Sequence, residues 1–114
     1  MALRLVERSA PQRPRYAELH ARSAFSFFGG ACTPETLSDR GAELGLEALA
    51  LVDQDDLGGA IRFFRAAREA GLQPVHGVAL TLEDGSALPL LALDRRGWGN
   101  LCQLLSEART RGRR

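Results

Sequence analysis

The stretch YAELHARSAFSFFGG, Tyr16–Gly30, is the part of the sequence from which the fold can be worked out. Its first residues are a short apolar and aromatic run that ends in His20, which predicts a strand. The loop that follows combines Phe side chains with glycines, so it packs aromatic rings while turning tightly. A second apolar run, Leu46–Val52, leads into the acidic stretch DQDD. His20 and these acids together indicate the edge of a metal site that lacks several ligands.

A helix is predicted between the loop and the second apolar run. Thr33 suits its N-cap, Pro34 its first helical position and Gly45 its left-handed end. The run Leu46–Val52 is apolar except for one acid, as expected for a strand buried on both faces. Another amphipathic helix follows it and is expected to end at Gly71.

The alternation continues into a third strand, Gln73–Leu82. The order of strand, helix, strand, helix and strand predicts right-handed crossovers and a parallel sheet. The Asp-Gly pair in EDGS, residues 83–86, indicates a hairpin turn, so Ala87–Leu93 is expected to return antiparallel. Trp98–Ala108 then places leucines on one helical face. The predicted fold class is α/β, with mostly parallel strands alternating with helices plus one β-hairpin.

Length and composition limit the organisation of the chain. Its 114 residues, of which 45% are hydrophobic and 25% charged, fit one globular domain. We expect a flexible arm containing Arg and Pro over residues 1–15, the folded domain over residues 16–109 and a basic tail over residues 110–114. No apolar run could span a bilayer or act as a signal peptide, so we expect a cytoplasmic protein. The net charge of +1 indicates no general attraction to nucleic acid, and the Arg-rich ends are either solvated tails or weak DNA contacts.

These segments, in this order, resemble the PHP (polymerase and histidinol phosphatase) domain at the N-terminus of bacterial C-family DNA polymerases, the DNA polymerase III alpha subunit type. The last matching segment, DRRGWGNLCQLLSEA, favours polymerase-type domains over histidinol phosphatases. The Ser-x-Phe-Ser-Phe loop that begins at Ser23 is similar to that of the error-prone, mutasome branch. The resemblance implies a partial PHP-type distorted (β/α) barrel, since the family's barrel is much longer. The segments are YAELHARSAFSFFGGACTPETL, LGLEALALVDQDDLGGAIRF, AGLQPVHGVALTL and DRRGWGNLCQLLSEA.

The resemblance implies a site for divalent metals such as Zn or Mn, and this chain matches few of its ligands. His20 and Asp53 are kept and are interpreted as a vestigial pair of metal ligands. The implied ligand positions that carry other residues are Arg22, Gly29, Gln54 and Ala79.

The substituted residues are poor metal ligands. Arg22 puts a permanent cation where a metal ion would lie, Gly29 and Ala79 supply no donor atom, and Gln54 offers only a neutral oxygen. We therefore expect no retained cofactor. An ion pair between Arg22 and Asp53 is one way to fill the old metal site.

The expected function is a non-catalytic PHP-like module with a structural or partner-docking role in DNA replication, repair and translesion synthesis. Activity of this chain alone is left open, with none expected. The alternative is a small metal-dependent phosphoesterase with a site rebuilt from His76, Asp55 or Asp56, although the two acids also suit loop and helix-cap positions. The expected partners are a polymerase core, other replication or mutasome proteins, or a second copy at an uncovered sheet edge.

Overall fold

A computed structural model describes residues 15–26 and 30–111. The predicted arm lies outside the described residues except for Arg15, which forms an exposed ion pair with Glu47. The last residues of the predicted basic tail also lie outside them. The elements are β1 Ala17–Ala21, α1 Pro34–Glu43, β2 Ala48–Gln54, α2 Ala60–Glu69, β3 Gln73–Thr81, β4 Ala87–Leu91 and α3 Arg95–Thr110.

The strands form one curled sheet in the order β1-β2-β3-β4, a half-barrel. β1, β2 and β3 run parallel, and β4 pairs antiparallel with β3. The α/β class, the parallel strands alternating with helices and the single hairpin predicted from the sequence are thereby confirmed.

The core forms where the helices cover the sheet. Side chains alternate along a strand, so Leu49 and Leu51 point to one face and pack with Phe63 of α2. Ala50 and Val52 point to the opposite face, where they cluster with Ala79. Burial on both faces accounts for the unbroken apolar run in β2.

Local signals place the ends of the first two helices. Thr33 caps α1 by accepting a hydrogen bond from the Thr36 N–H at 3.1 Å. Gly45 and Gly71 follow α1 and α2 with positive φ angles of 76° and 84°, as predicted. The predicted cap of α2 by Asp55 or Asp56 is wrong, because α2 starts at Ala60 and its N-cap residue forms no side-chain capping bond.

Contacts between α1 and α2 are both apolar and ionic. Arg62 of α2 donates two hydrogen bonds of 2.8 Å to the carboxylate of Glu35 in α1. This bond with the guanidinium lowers the pKa of Glu35 to about 2. Phe25, from the loop after β1, lies beside Gly59. The Arg62 guanidinium carbon lies over the Phe25 ring, 5.7 Å from the ring centroid.

The hairpin and the last helix complete the described chain. Gly85 takes a φ of 90° in the turn, and the Leu82 N–H donates to the Ser86 carbonyl at 2.7 Å. α3 begins at Arg95, earlier than predicted, because Asp94 caps it by accepting from the Gly97 N–H at 2.8 Å. None of the helices in the described part of the chain is long and apolar enough to cross a membrane.

Candidate functional site

Asp53, near the carboxyl end of β2, has a buried carboxylate that accepts three hydrogen bonds. It is 2% exposed, and its Oδ1 accepts from the Ser23 N–H at 2.7 Å and from Ser26 Oγ at 2.6 Å. Its Oδ2 accepts from Ser23 Oγ at 2.6 Å. Asp53 thereby ties the loop after β1 to the end of β2.

The hydroxyls of both serines also accept hydrogen bonds from backbone N–H groups. Ser26 Oγ also accepts from the Gln54 N–H at 2.9 Å, and Ser23 Oγ accepts from the Phe25 N–H at 3.2 Å. Both serines are fully buried. Neither serine was among the site residues predicted from the sequence; the signal for them was a pair of hydroxyls at i and i+3 in a loop that precedes a buried acid.

Gln54 faces the opposite side of the sheet from Asp53, because neighbouring side chains alternate along a strand. Its register partner in β3 is Ala79, so these two substituted ligand positions are adjacent. Gln54 Nε2 donates to Thr81 Oγ1 at 3.1 Å. The amide thus cross-links the ends of β2 and β3.

Asp55 continues this cross-link. It has a φ of 54°, uncommon for a residue other than glycine, and its carboxylate accepts from the Thr81 N–H at 2.8 Å and from Thr81 Oγ1 at 2.5 Å. Its carbonyl oxygen accepts from Arg109 Nη2 of α3 at 2.9 Å. Asp56 Oδ1 accepts from the Gly58 N–H at 2.5 Å. Both acids therefore stabilise the loop that follows β2.

Two further ligand positions, His20 and Arg22, lie at the end of β1 and directly after it. His20 is exposed and forms no side-chain hydrogen bond with another described residue, and Arg22 is half-buried. The hypothesis of an Arg22–Asp53 ion pair is wrong, because the partners of Asp53 are serines and the ion pairs between described residues do not include Arg22. Gly29 lies outside the described residues.

His76 of β3 packs against three aromatic rings and also lines a small recess with Asp53 and Asp56. Its ring centroid is 5.8 Å from that of Phe63, 6.0 Å from Phe64 and 5.4 Å from Trp98. Burial lowers the pKa of His76 below its usual value of 6.5. The ring therefore acts as a neutral packing element.

These donors do not fit a metal cluster of the kind the resemblance implies. Both oxygens of Asp53 accept hydrogen bonds from Ser23 or Ser26, Gln54 is bonded to Thr81, and Ala79 has no ligand atom. Within residues 15–26 and 30–111, no three His, Cys, Asp or Glu side chains come together as a potential metal site. The carboxyl edge of the sheet is held by hydrogen bonds between protein groups.

Comparison with known proteins identifies a family for this chain. The PHP domain model matches residues 18–114. The error-prone DNA polymerase of Alkalilimnicola ehrlichii is 46% identical over 99 residues, which are 87% of this chain and 10% of that polymerase. The chain thus spans about a tenth of the length of that relative.

Solved structures agree in fold. A proposed metal-dependent phosphoesterase from Bifidobacterium adolescentis superposes with a TM-score of 0.59 and 26% identity, over 71% of this chain and 28% of that one. An amidohydrolase from Chromobacterium violaceum, with bound sulfate and no metal, superposes with a TM-score of 0.60 and 32% identity, over 68% and 28%. The chain belongs to the PHP domain family and covers part of its barrel.

Proposed function

We propose that the chain is a non-catalytic PHP module of an error-prone DNA polymerase, acting in the cytoplasm in replication, repair and translesion synthesis. In this proposal the module supports the polymerase body or its partners and does not hydrolyse phosphoesters. The similarity to error-prone DNA polymerases supports the assignment to replication.

The observation that carries the non-catalytic role is the state of Asp53. An acid that binds a metal or activates water needs free oxygen lone pairs directed at the ion or the water. Asp53 is 2% exposed and its oxygens accept from the Ser23 N–H and from the hydroxyls of Ser23 and Ser26. We therefore assign it to holding the loop in place.

The test combines metal analysis with a phosphoesterase assay. The purified chain is analysed for bound Zn and Mn, then incubated with a generic phosphodiester and a 3′-labelled DNA strand in the presence of Mn²⁺ or Zn²⁺. We expect less than stoichiometric metal and no turnover. Stoichiometric metal, with turnover lost in the folded variant His20→Ala, would contradict the proposal.

The proposed support of the polymerase body is tested separately, by primer extension. In a polymerase that carries this segment, we expect His20→Ala to leave primer extension unchanged, whereas Asp53→Ala lowers the melting temperature and extension together. Loss of extension in His20→Ala without loss of stability would show that the exposed imidazole takes part in the reaction.

The alternative, a phosphoesterase rebuilt from His76, Asp55 or Asp56, has less support. His76 is packed among aromatic rings, while Asp55 and Asp56 bond to Thr81 and to the Gly58 N–H. Turnover that survives His20→Ala but is lost in His76→Gln would favour it.

A further inference from the structure

A cleft of about 450 Å³ lies on the helix-covered side of the sheet, between α2, the start of β3 and the start of α3. Its lining does not include Asp53, although it shares Ala60, His76 and Trp98 with a small recess that Asp53 lines. Its size is that of a binding pocket, and its lining is apolar and aromatic. The lining residues used below are Ile61, Phe64, His76, Leu93, Arg95 and Trp98.

The apolar side chains at this cleft are exposed to an unusual degree. Leu93 is 95% exposed, more than any other large apolar residue in the described chain, and Ile61 is 63% exposed. Both line the same cleft as Trp98 and Phe64. An exposed apolar patch that includes tryptophan and phenylalanine marks a surface able to bury an apolar anchor from another polypeptide.

The charges at the rim define the chemistry of that polypeptide. The Arg68 guanidinium lies over the Phe64 ring, 5.4 Å from its centroid, and Arg95 lines the cleft. Neither arginine forms an ion pair with another described residue. The one acid in the lining, Asp94, is bonded to the Gly97 N–H as the cap of α3. The rim therefore favours an anionic partner.

We propose that this cleft binds an acidic segment of a partner polypeptide, with an aliphatic or aromatic anchor against its apolar lining and carboxylates against Arg68 and Arg95. The floor buries the anchor, and the arginines select the flanking charge. The proposal does not depend on whether the chain hydrolyses phosphoesters.

Trp98 is the single tryptophan of the chain, so its fluorescence reports on the cleft directly. The probe is the peptide acetyl-Glu-Glu-Leu-Phe-Glu-Glu-amide, titrated into the purified chain at low salt. The comparison peptide has lysine in place of each glutamate. We expect a saturable blue shift of Trp98 emission with the acidic peptide, and binding of the lysine peptide at least about tenfold weaker.

A charge reversal tests the rim. In the double variant Arg68→Glu and Arg95→Glu we expect the preference to invert, so that the lysine peptide binds more tightly. Arg65→Glu is the matched control, since Arg65 is an exposed arginine of α2 that does not line the cleft. It should leave the preference for the acidic peptide intact.

Several outcomes would overturn the proposal. They are equal affinity for both peptides, no shift up to the solubility limit of the acidic peptide, and the same loss of binding in Arg65→Glu as in the double variant. A shift that depends on protein concentration without peptide would show that a second copy covers the cleft. A stronger shift with oligothymidine than with the acidic peptide would show that the cleft binds nucleic acid.

Discussion

Asp53 holds the loop after β1 because a buried carboxylate is stable only when donors satisfy it, and here Ser23 and Ser26 do so. Replacing the carboxylate with an amide puts an NH₂ group against hydroxyls that must donate. We expect Asp53→Asn to lower the free energy of unfolding by about 3 kcal/mol, since charge-assisted bonds are lost and buried donors are left unpaired. Urea unfolding monitored by circular dichroism measures this.

The control for Asp53→Asn is Asp39→Asn, the same change on the exposed surface of α1. It should shift the urea midpoint little. Equal midpoints for the two variants would show that the serine bonds contribute nothing net to stability.

His76 predicts a pH dependence of stability. Its folded-state pKa is lowered by burial from 6.5, so below pH 6.5 the unfolded chain binds more protons than the folded chain. Stability is therefore fully present above pH 6.5 and is lost as the pH falls toward the folded-state pKa. Urea midpoints measured between about pH 5 and 8, the range of histidine titration, should fall toward acid.

His76→Gln stays neutral and should remove most of that slope, whatever it costs in absolute stability. His20→Gln is the control, because His20 is the only other histidine and is exposed. If the slope disappears in His20→Gln and persists in His76→Gln, its assignment to His76 is contradicted.

At the scale of elements, β3 and β4 approach so closely that one position must be glycine. A Cβ added at Gly77 would collide with the Leu90 carbonyl oxygen and lie 2.8 Å from Leu91 Cδ2. We expect Gly77→Ala to destabilise the fold by about 1–3 kcal/mol, the usual cost of overpacking. Thermal unfolding checks it.

Gly99 provides the contrasting change within α3. A Cβ there meets nothing within 4 Å, so Gly99→Ala should stabilise the chain by about 0.5–1 kcal/mol through helix propensity. A melting temperature that rises in Gly77→Ala would contradict the tight packing inferred at Gly77, and one that falls in Gly99→Ala would contradict the open space at Gly99.

The elements also show how far sequence reasoning reaches. Thr33, Gly45 and Gly71 were predicted because caps and left-handed helix ends depend on a few neighbouring residues. The bonds of Asp53 to Ser23 and Ser26 join residues 30 and 27 positions apart, which no local pattern specifies.

Part of the site was still within reach of the sequence. Alternation along β2 predicts that Asp53 and Gln54 face opposite sides of the sheet, in agreement with the bonds of Asp53 to the serines and of Gln54 to Thr81. The start of α2 was misplaced because Asp55 or Asp56 was interpreted as its cap, whereas the Asp55 carboxylate bonds to Thr81 in the next strand and the Asp56 carboxylate to the Gly58 N–H.

At the scale of the whole molecule, the described half-barrel leaves β1 and β4 at the edges of its sheet. Open edges favour pairing with another chain, which is why self-association was expected. β1 carries a shift of register between Glu18 and Ala21. Such an irregularity makes the edge a poorer template for a further strand.

The β4 edge carries Pro89, opposite Ala79 in β3. The Ala92 N–H donates to the His76 carbonyl and the Leu82 N–H to the Ser86 carbonyl. Because bonded and non-bonded pairs alternate in an antiparallel ladder, Pro89 falls at a position whose nitrogen faces the free edge. The missing N–H therefore removes a donor that a further strand would need.

We expect Pro89→Val to restore that donor and to increase self-association, seen as a rising mean sedimentation coefficient with protein concentration. Ala87→Val is the matched control: it adds the same β-branched side chain two residues earlier, at the start of β4, at a residue that already has its N–H. If Ala87→Val associated as strongly as Pro89→Val, added apolar surface would be the cause, and the missing donor would not be what protects this edge.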